Sequence, residues 1–162
     1  MSAHTSQWPL GRIFAFLTKQ YVGYLTKRME NTPLERHYYP LYLIGKNSGN
    51  ISQQQLADQL STDKVSMVRI LDYLTEGGFI ERRVNPNDRR QHLLHITESG
   101  KPWIIEIERG LTETDELFLG FLPKEQRVVF IEQLHQLIEV TKDLPVEQIE
   151  LFYNRIKDAK HD

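Results

Sequence analysis

The stretch that decides the fold of this 162-residue chain is residues 56–101, which read LADQLSTDKVSMVRILDYLTEGGFIERRVNPNDRRQHLLHITESGK. Just before it, Ser52 and Gln55 have the spacing of a capping box, in which two side chains bond the free N–H groups at a helix start. We therefore expect a short helix from Ser52 to about Leu60, and the apolar periodicity of residues 64–76 predicts a second one. Two short helices joined by a tight turn form a helix-turn-helix.

A β-hairpin is predicted directly after the second helix. Gly77 and Gly78 end that helix, because glycine tolerates the left-handed conformation found at helix C-termini. Residues 79–84 and 91–96 are rich in strand-forming side chains, and residues 85–90 between them combine turn formers with two arginines. This order predicts a winged helix-turn-helix whose wing has an extended, cationic tip.

The flanking sequence predicts further helices, because apolar side chains recur there at three- and four-residue spacings. These helices are expected over residues 8–30, 34–46, 97–119 (capped by Thr97), 124–142 and 146–157. The predicted fold class is mainly α, an α+β winged helix-turn-helix DNA-binding domain with dimerisation helices at its N- and C-terminal ends.

Three parts follow from this order: an N-terminal dimerisation helix in residues 1–33, the winged helix in residues 34–101, and C-terminal dimerisation helices in residues 102–162. The terminal helices carry more apolar surface than so small a winged helix can bury, so self-association is one outlet. Packing within the chain is an equal alternative. The residues concerned are Trp8, Ile13, Leu17, Val128, Ile131, Leu134, Ile138, Leu151 and Phe152.

The formal net charge of -2 conceals three unlike regions. Residues 1–47 contain six Lys and Arg against two Asp and Glu, residues 48–101 contain seven of each, and residues 102–162 contain seven against thirteen. The first region is therefore basic and the last acidic. Within the neutral middle region, residues 78–96 contain four arginines against two acidic residues, which indicates a local cationic surface of the kind that binds nucleic acid.

Five short motifs follow one another in residues 56–101: LA..L in the first helix, DK..MVR.LDYL in the second, GG.IERR entering the wing, DRR at its tip, and IT..GK at its end. In this order they resemble the multiple-antibiotic-resistance regulator (MarR) family of bacterial transcription factors. The resemblance implies a homodimeric, sequence-specific DNA-binding regulator. It also implies a repressor of pseudopalindromic operators that loses DNA affinity when it binds a small aromatic or phenolic acid.

The face of the 64–76 helix that lies away from its apolar residues is the predicted base-reading surface, since a helix fits the major groove. Arg69 is the first candidate for a base contact, because its guanidinium can bond guanine O6 and N7 together. Ser66 is expected at a base or a phosphate, Val65 at a thymine methyl, and Lys64 at a phosphate. The alternative is that these residues form the solvated face of a core helix, with Val65 partly buried.

At the wing tip, the resemblance implies that Asp88 pairs with Arg90 and orients it toward the minor groove, whose negative potential attracts arginine. Arg89 is expected to reach a phosphate or to share the groove. A solvated charged turn is the alternative. Arg82 and Arg83 alternate along a strand and so face opposite ways. One is expected to pair with Asp72 or Glu76 and the other to contact phosphate; the sequence leaves open which.

A ligand site is predicted at Arg36, His37, Tyr38 and Tyr39, where a cation and aromatic rings would suit an anionic aromatic effector. The alternative is that these are ordinary packing and surface residues. A winged helix that acts as an architectural or protein-interaction module, without a small-molecule response, is the competing function. The arginines at both predicted groove positions favour DNA binding.

Other functions find little support in the sequence. The chain has no cysteine, so it can form neither a disulfide nor a thiolate zinc site. It has no Gly-rich phosphate loop, G.S.G elbow or HE..H motif, and His92 and His95 are a poor metal pair on a strand, so we expect no enzyme, cofactor or metal. No apolar run approaches the roughly 18 residues that span a bilayer, and the start lacks the order of a signal peptide, so we expect a cytoplasmic protein.

Overall fold

The structure, a computed structural model, describes residues 8–145. Its fold is mainly helical with a two-stranded antiparallel sheet, as the sequence predicts. The elements are α1 (Leu10–Arg28), α2 (Tyr38–Lys46), α3 (Gln53–Gln59), α4 (Lys64–Glu76), β1 (Ile80–Asn85), β2 (Asp88–Ile96), α5 (Lys101–Leu119) and α6 (Lys124–Thr141). The helix predicted over residues 146–157 lies outside the described residues.

Side-chain caps start both helices of the helix-turn-helix. The Ser52 N–H donates to Gln55 Oε1 at 2.8 Å, and the Gln55 N–H donates to Ser52 Oγ at 3.3 Å, which confirms the predicted capping box of α3. Asp63 Oδ1 accepts the N–H groups of Val65 and Ser66 at 2.9 and 3.0 Å and so caps α4. The Asp63 cap was not predicted, although an Asp directly before an apolar periodic run is a typical helix start.

The connection between α1 and α2, residues 29–37, differs from the prediction. We expected a helix from Leu34, but α2 begins at Tyr38. Glu35 has φ 48°, a left-handed backbone conformation that a right-handed helix does not contain. Leu34 is nevertheless fully buried. Leu34 therefore packs into the core although it lies in a turn. The prediction of a helix from Leu34, which rested on the spacing of apolar residues, was wrong for residues 34–37.

The wing is longer and its tip tighter than predicted. β2 begins at Asp88 and not at Gln91, so the tip consists of Pro86 and Asn87. The Asn87 N–H donates to the Asn85 side chain at 2.9 Å, a local bond that closes the turn. The two arginines expected in the loop are therefore strand residues, and their side chains project from a hydrogen-bonded hairpin.

The base of the wing is tied to the start of α5. We expected Thr97 to cap this helix, but α5 begins at Lys101. The Thr97 hydroxyl donates to the Gly78 carbonyl at 2.6 Å and accepts the Gly100 N–H at 3.1 Å. Thr97 therefore connects the glycine turn after α4 to the turn that precedes α5.

One hydrophobic core lies inside the winged helix, between α2, α3, α4 and the hairpin, and α1 and α5 extend it. Its fully buried side chains include Leu34, Leu41, Ile44, Leu56, Met67, Leu71, Leu74, Leu94 and Ile107. Gly110 of α5 lets α1 approach closely, because a Cβ there would lie 3.3 Å from Met29 Sδ and 3.4 Å from Leu25 Cδ1. The helices α1 and α5 are also joined by the Arg28 guanidinium, whose Nε donates to Glu113 Oε2 at 2.6 Å.

The terminal helices leave much apolar surface uncovered. No residue of α6 is buried, and Val128 and Ile138 are 63% and 60% exposed. Among the predicted interface candidates that the structure describes, Leu17 is exposed as well, while Trp8, Ile13, Ile131 and Leu134 are half-buried, and none belongs to the core. In residues 8–145, no helix has the length and apolarity needed to cross a membrane.

Candidate nucleic-acid interface

Helix α4 has one buried and one exposed face. Met67, Leu71 and Leu74 are fully buried, which confirms the predicted core face. On the other face Lys64 and Arg69 are exposed, and Val65 is 62% exposed and not partly buried. Val68, which was not among the predicted contact residues, is also exposed and lies about one helical turn after Val65. This face therefore presents two cations and two small apolar side chains.

The start of α4 is held by its cap. Hydrogen bonds from the Ser66 side chain and backbone, and from the Val65 N–H, hold the pKa of the Asp63 carboxyl below its usual value. Asp63 is therefore ionised at neutral pH and fixes the first turn of the helix, where Lys64 and Val65 lie. The Ser66 hydroxyl takes part in this cap, so Ser66 supports the helix start as well as facing the proposed DNA surface.

Three arginines on α4 and the wing have few or no side-chain contacts within the described residues. Within residues 8–145, neither Arg69 nor Arg89 has an ion-pair or hydrogen-bond partner for its side chain. Arg90, next to Arg89 on β2, has a side chain that is 96% exposed. These guanidiniums keep their hydrogen-bonding groups available for an external anion or base edge.

Asp88 supports the wing tip mainly through other contacts than the expected ion pair. Its Oδ1 accepts the Arg90 backbone N–H at 3.0 Å, and its Oδ2 accepts the Gln91 side-chain amide at 3.0 Å. The ion pair with the Arg90 guanidinium is long, 3.8 Å from Nε to Oδ1. Asp88 thus fixes the backbone from which Arg90 projects, and the Arg90 side chain itself is only loosely held.

The structure resolves the alternatives that the sequence left open for the two arginines of β1. Arg82 Nη2 donates to Asp72 Oδ1 at 2.6 Å, so Arg82 joins the wing to α4 and its partner is Asp72 and not Glu76. Arg83 faces the other way, pairs with Glu81 on its own strand, and is 60% exposed. Arg82 is therefore a structural residue, and Arg83 is the arginine of this pair that lies toward solvent.

The comparisons with known proteins agree with this geometry. The sequence pattern of the MarR family matches residues 41–92, which include most of α2, all of α3 and α4, and most of the wing. A protein of Thauera aromatica, named as a transcriptional regulatory protein for the hcr operon, is 32% identical over 135 residues, which are 83% of this chain and 78% of the relative. The chain belongs to the MarR family. It is therefore a DNA-binding transcription regulator, and the family consists of such regulators and not of enzymes.

Solved structures of MarR-family regulators share its fold. A SlyA-like transcription regulator from Listeria monocytogenes superposes with a TM-score of 0.76 at 21% identity, over 85% of this chain and 91% of that one. CouR from Rhodococcus jostii RHA1, solved with bound p-coumaroyl-CoA, has a TM-score of 0.72 at 21% identity, over 90% of this chain and all of CouR (100%). The winged helix and the flanking helices are thus in the arrangement of the family.

The structure shows separate contacts for three of the four predicted ligand residues, Tyr38, Tyr39 and His37. Tyr38 is buried in the core, and its hydroxyl is hydrogen-bonded to Thr26 Oγ1 at 2.8 Å, so the packing alternative holds for Tyr38. Tyr39 stacks on Tyr42 at a ring separation of 6.1 Å. His37 lies instead against Tyr73 of α4, with ring centroids 4.5 Å apart. Arg36 is exposed at the end of the 29–37 connection.

A cavity of about 330 Å³ lies elsewhere, between the end of α1, the 29–37 connection and the start of α5. Its lining combines a cation, an aromatic ring and small polar groups: Arg28, Asn31, Thr32, Pro102, Trp103 and Glu106. Two of these lining residues are bonded to each other, since Arg28 Nη1 donates to Glu106 Oε1 at 3.1 Å. Sequence analysis could not find this site, because its two halves are about seventy residues apart in the chain and neither half has a motif.

Proposed function

We propose that this protein is a homodimeric, sequence-specific repressor that binds pseudopalindromic operators and is released by a small anionic aromatic effector. The observation that carries the DNA-reading part is the pair of exposed arginines on two adjoining elements, Arg69 on α4 and Arg90 on the wing. The Arg82–Asp72 bond joins those two elements, so both arginines are presented from one rigid body.

In the proposed complex, α4 lies in the major groove. Arg69 contacts a guanine, while Val65 and Val68 are suited to thymine methyl groups and Lys64 to a phosphate. The wing follows the backbone so that Arg90 enters the minor groove and Arg89 contacts phosphate or shares the groove. We assign Arg83 to phosphate and Asp88 to positioning the tip.

The dimer part of the proposal rests on the terminal helices. We assign residues 34–101 to DNA binding, and residues 1–33 and 102–162 to dimerisation. The exposed apolar side chains of α1 and α6, such as Leu17, Val128 and Ile138, would be covered by the same helices of a second copy. A two-fold dimer would place two α4 helices about 34 Å apart, the spacing of successive major grooves on one side of DNA.

The test is binding to a DNA fragment from the promoter of the protein's own or an adjacent gene, at a fixed salt concentration. Arg69→Ala and Arg90→Ala should each weaken binding by at least about fivefold, or about 1 kcal/mol, because each removes a groove contact. Arg109→Ala is the matched control, since Arg109 is an exposed arginine on α5. If neither groove variant is weaker than the control, the protein-interaction alternative gains and this proposal fails.

For the effector, we propose the cavity lined by Arg28 and Trp103 as the site, in place of residues 36–39. The Trp103 ring offers an apolar face, and a ligand carboxylate would compete with Glu106 for the Arg28 guanidinium. The bound p-coumaroyl-CoA of CouR supports an aromatic acyl ligand as a chemical class for this fold.

Salicylate is the probe for this part. It should raise the melting temperature of the DNA-free protein and weaken operator binding, because it binds the folded state at a site coupled to DNA. Trp103→Phe should reduce the shift in melting temperature, whereas Trp8→Phe, the same change at a tryptophan outside the cavity lining, should not. An unchanged melting temperature at millimolar salicylate would contradict the effector assignment and leave the DNA-binding proposal intact.

A further inference from the structure

The C-terminal half of α4 is bound on two sides by successive residues. Asp72 receives the hydrogen bond of Arg82 from the wing. Tyr73, the next residue, contacts the 29–37 connection instead of the wing: its hydroxyl donates to the Pro33 carbonyl at 2.7 Å. Arg69 lies one helical turn before Tyr73 and so shares its side of α4. A movement of the Tyr73 contact would therefore displace the arginine proposed to read DNA.

The ring of Tyr73 is held as well as its hydroxyl. The His37 ring lies 4.5 Å from it, centroid to centroid, with an angle of 52° between the ring planes. Burial, and secondarily the Glu35 carboxylate, raises the pKa of Tyr73, so its hydroxyl remains a proton donor at neutral pH. Tyr73 thus contacts the connection at two points, Pro33 in its middle and His37 at its end.

The same connection forms one wall of the cavity. Asn31 and Thr32 line the cavity, and Pro33, which accepts the Tyr73 hydrogen bond, is the next residue. The first residues of the segment are bonded together, because the Thr32 hydroxyl and N–H both donate to the Met29 carbonyl, at 2.8 and 3.0 Å. Its middle is anchored by the fully buried Leu34. A change at the cavity wall is therefore one peptide unit away from the contact with α4.

We propose that Tyr73 is the positioning residue that couples the cavity to the recognition helix: displacement of Asn31 and Thr32 moves the Pro33 carbonyl, and the Tyr73 hydroxyl transmits this movement to α4. The proposal rests on the proposed function for its meaning, since it describes how that repressor would respond to an occupant. The coupling itself is a property of the contacts and needs no particular effector.

A double-mutant cycle on the full-length dimer tests it without any ligand. Asn31→Phe enlarges a cavity-lining side chain and imitates an occupant, and Tyr73→Phe removes the hydroxyl but keeps the ring against His37. Tyr39→Phe is the matched control: within residues 8–145 the Tyr39 hydroxyl has no partner, and its ring stacks on Tyr42 of the same helix. DNA affinity is measured at fixed salt, and hydrogen–deuterium exchange of residues 64–76 is measured without DNA.

Asn31→Phe should weaken DNA binding by about fivefold or more when Tyr73 is present, and by less than about twofold in the Tyr73→Phe background. The Tyr39→Phe background should retain the full loss. Exchange in residues 64–76 should rise on Asn31→Phe only where Tyr73 is intact. If Tyr73 only stabilised the fold, Tyr73→Phe would lower the melting temperature, and its effect on DNA affinity would add to that of Asn31→Phe.

The coupling would be overturned if Asn31→Phe weakened DNA binding equally with Tyr73 present and in the Tyr73→Phe background. It would also be overturned if Asn31→Phe altered neither DNA affinity nor hydrogen–deuterium exchange. If the wild-type protein does not bind the promoter fragment, the proposed function fails. Hydrogen–deuterium exchange of residues 64–76 in the wild type, the two single variants and the double variant still decides whether Tyr73 links α4 to the cavity wall. Failure of the coupling can therefore be distinguished from failure of the proposed function.

Discussion

The winged helix and the terminal helix α6 differ in how far their apolar side chains are covered. Leu41, Leu71 and Leu94 of the winged helix are completely buried, whereas Val128 and Ile138 of α6 are mostly exposed, and α6 has no buried residue at all. Both regions have helical apolar periodicity in the sequence. The winged helix therefore encloses a core that α1 and α5 extend, whereas the apolar face of α6 remains available for another surface, which we propose to be a second copy of the chain.

The two regions also differ in how they use arginine. On the terminal helices, two guanidiniums are engaged by carboxylates: Arg28 binds Glu106 and Glu113, and Arg127 binds Glu116 at 2.7 Å. On α4 and the wing, Arg69 and Arg90 are left available. Net charge therefore says little about DNA affinity in this protein. What matters is how firmly each guanidinium is held: within residues 8–145 Arg69 has no carboxylate partner, and the 96% exposed Arg90 side chain has only a 3.8 Å contact with Asp88.

Breaking the apolar face of α6 should give the largest effect. Ile138→Glu would place a carboxylate in the proposed dimer interface, where an uncompensated charge costs about 3–5 kcal/mol. We expect the dimer dissociation constant to rise at least about a hundredfold, measured by analytical ultracentrifugation. Gln133→Glu, an exposed position on the same helix, is the control. A variant that remains as dimeric as the control would mean that this face is not the interface.

Removing a core side chain from the winged helix should come next. Leu71→Ala should lower the free energy of unfolding by about 2–5 kcal/mol, because it removes buried methyl groups and leaves a cavity. Val65→Ala on the exposed face of the same helix should change it by less than about 0.5 kcal/mol. Urea denaturation followed by circular dichroism measures both. Similar losses for the two variants would show that the buried and exposed faces of α4 are not distinct.

The parts of the fold that depend on local rules could be predicted from the sequence. The capping box at Ser52, the apolar periodicity of α4 and the two glycines before the wing each act within a few residues, and each gave a correct element. The exposed position of Arg69 also followed from helical geometry alone, because the buried residues of α4 determine which face remains.

The parts of the fold that depend on contacts between different elements could not be predicted from the sequence. Leu34 has the spacing of a helical core residue, but it is buried from a turn whose path requires the left-handed Glu35. Tyr38 looks like a ligand-binding aromatic in sequence, and only the packing of α1 against α2 shows that its hydroxyl is used by Thr26. The choice between Asp72 and Glu76 as the partner of Arg82 likewise depends on how the wing packs on α4.

A smaller, pH-dependent effect should arise at the junction of the two regions, the 29–37 connection. Burial, and secondarily the positive charge of Arg36, lowers the pKa of His37 below its ordinary value of 6.5, against a smaller opposing effect of Glu35. The unfolded chain therefore binds a proton more readily than the folded one. It follows that the contribution of His37 to the free energy of unfolding is fully present above pH 6.5 and is lost as the pH falls through the lowered pKa of the folded state.

His37→Gln should therefore flatten the dependence of melting temperature on pH between about 7 and 5, since it removes the group that titrates differently in the two states. The matched control is His135→Gln, an exposed histidine on α6. If melting temperature depends on pH as steeply in His37→Gln as in the control, the acid sensitivity lies elsewhere in the chain. A flattened profile would locate it at the segment that joins the DNA-reading core to the terminal helices.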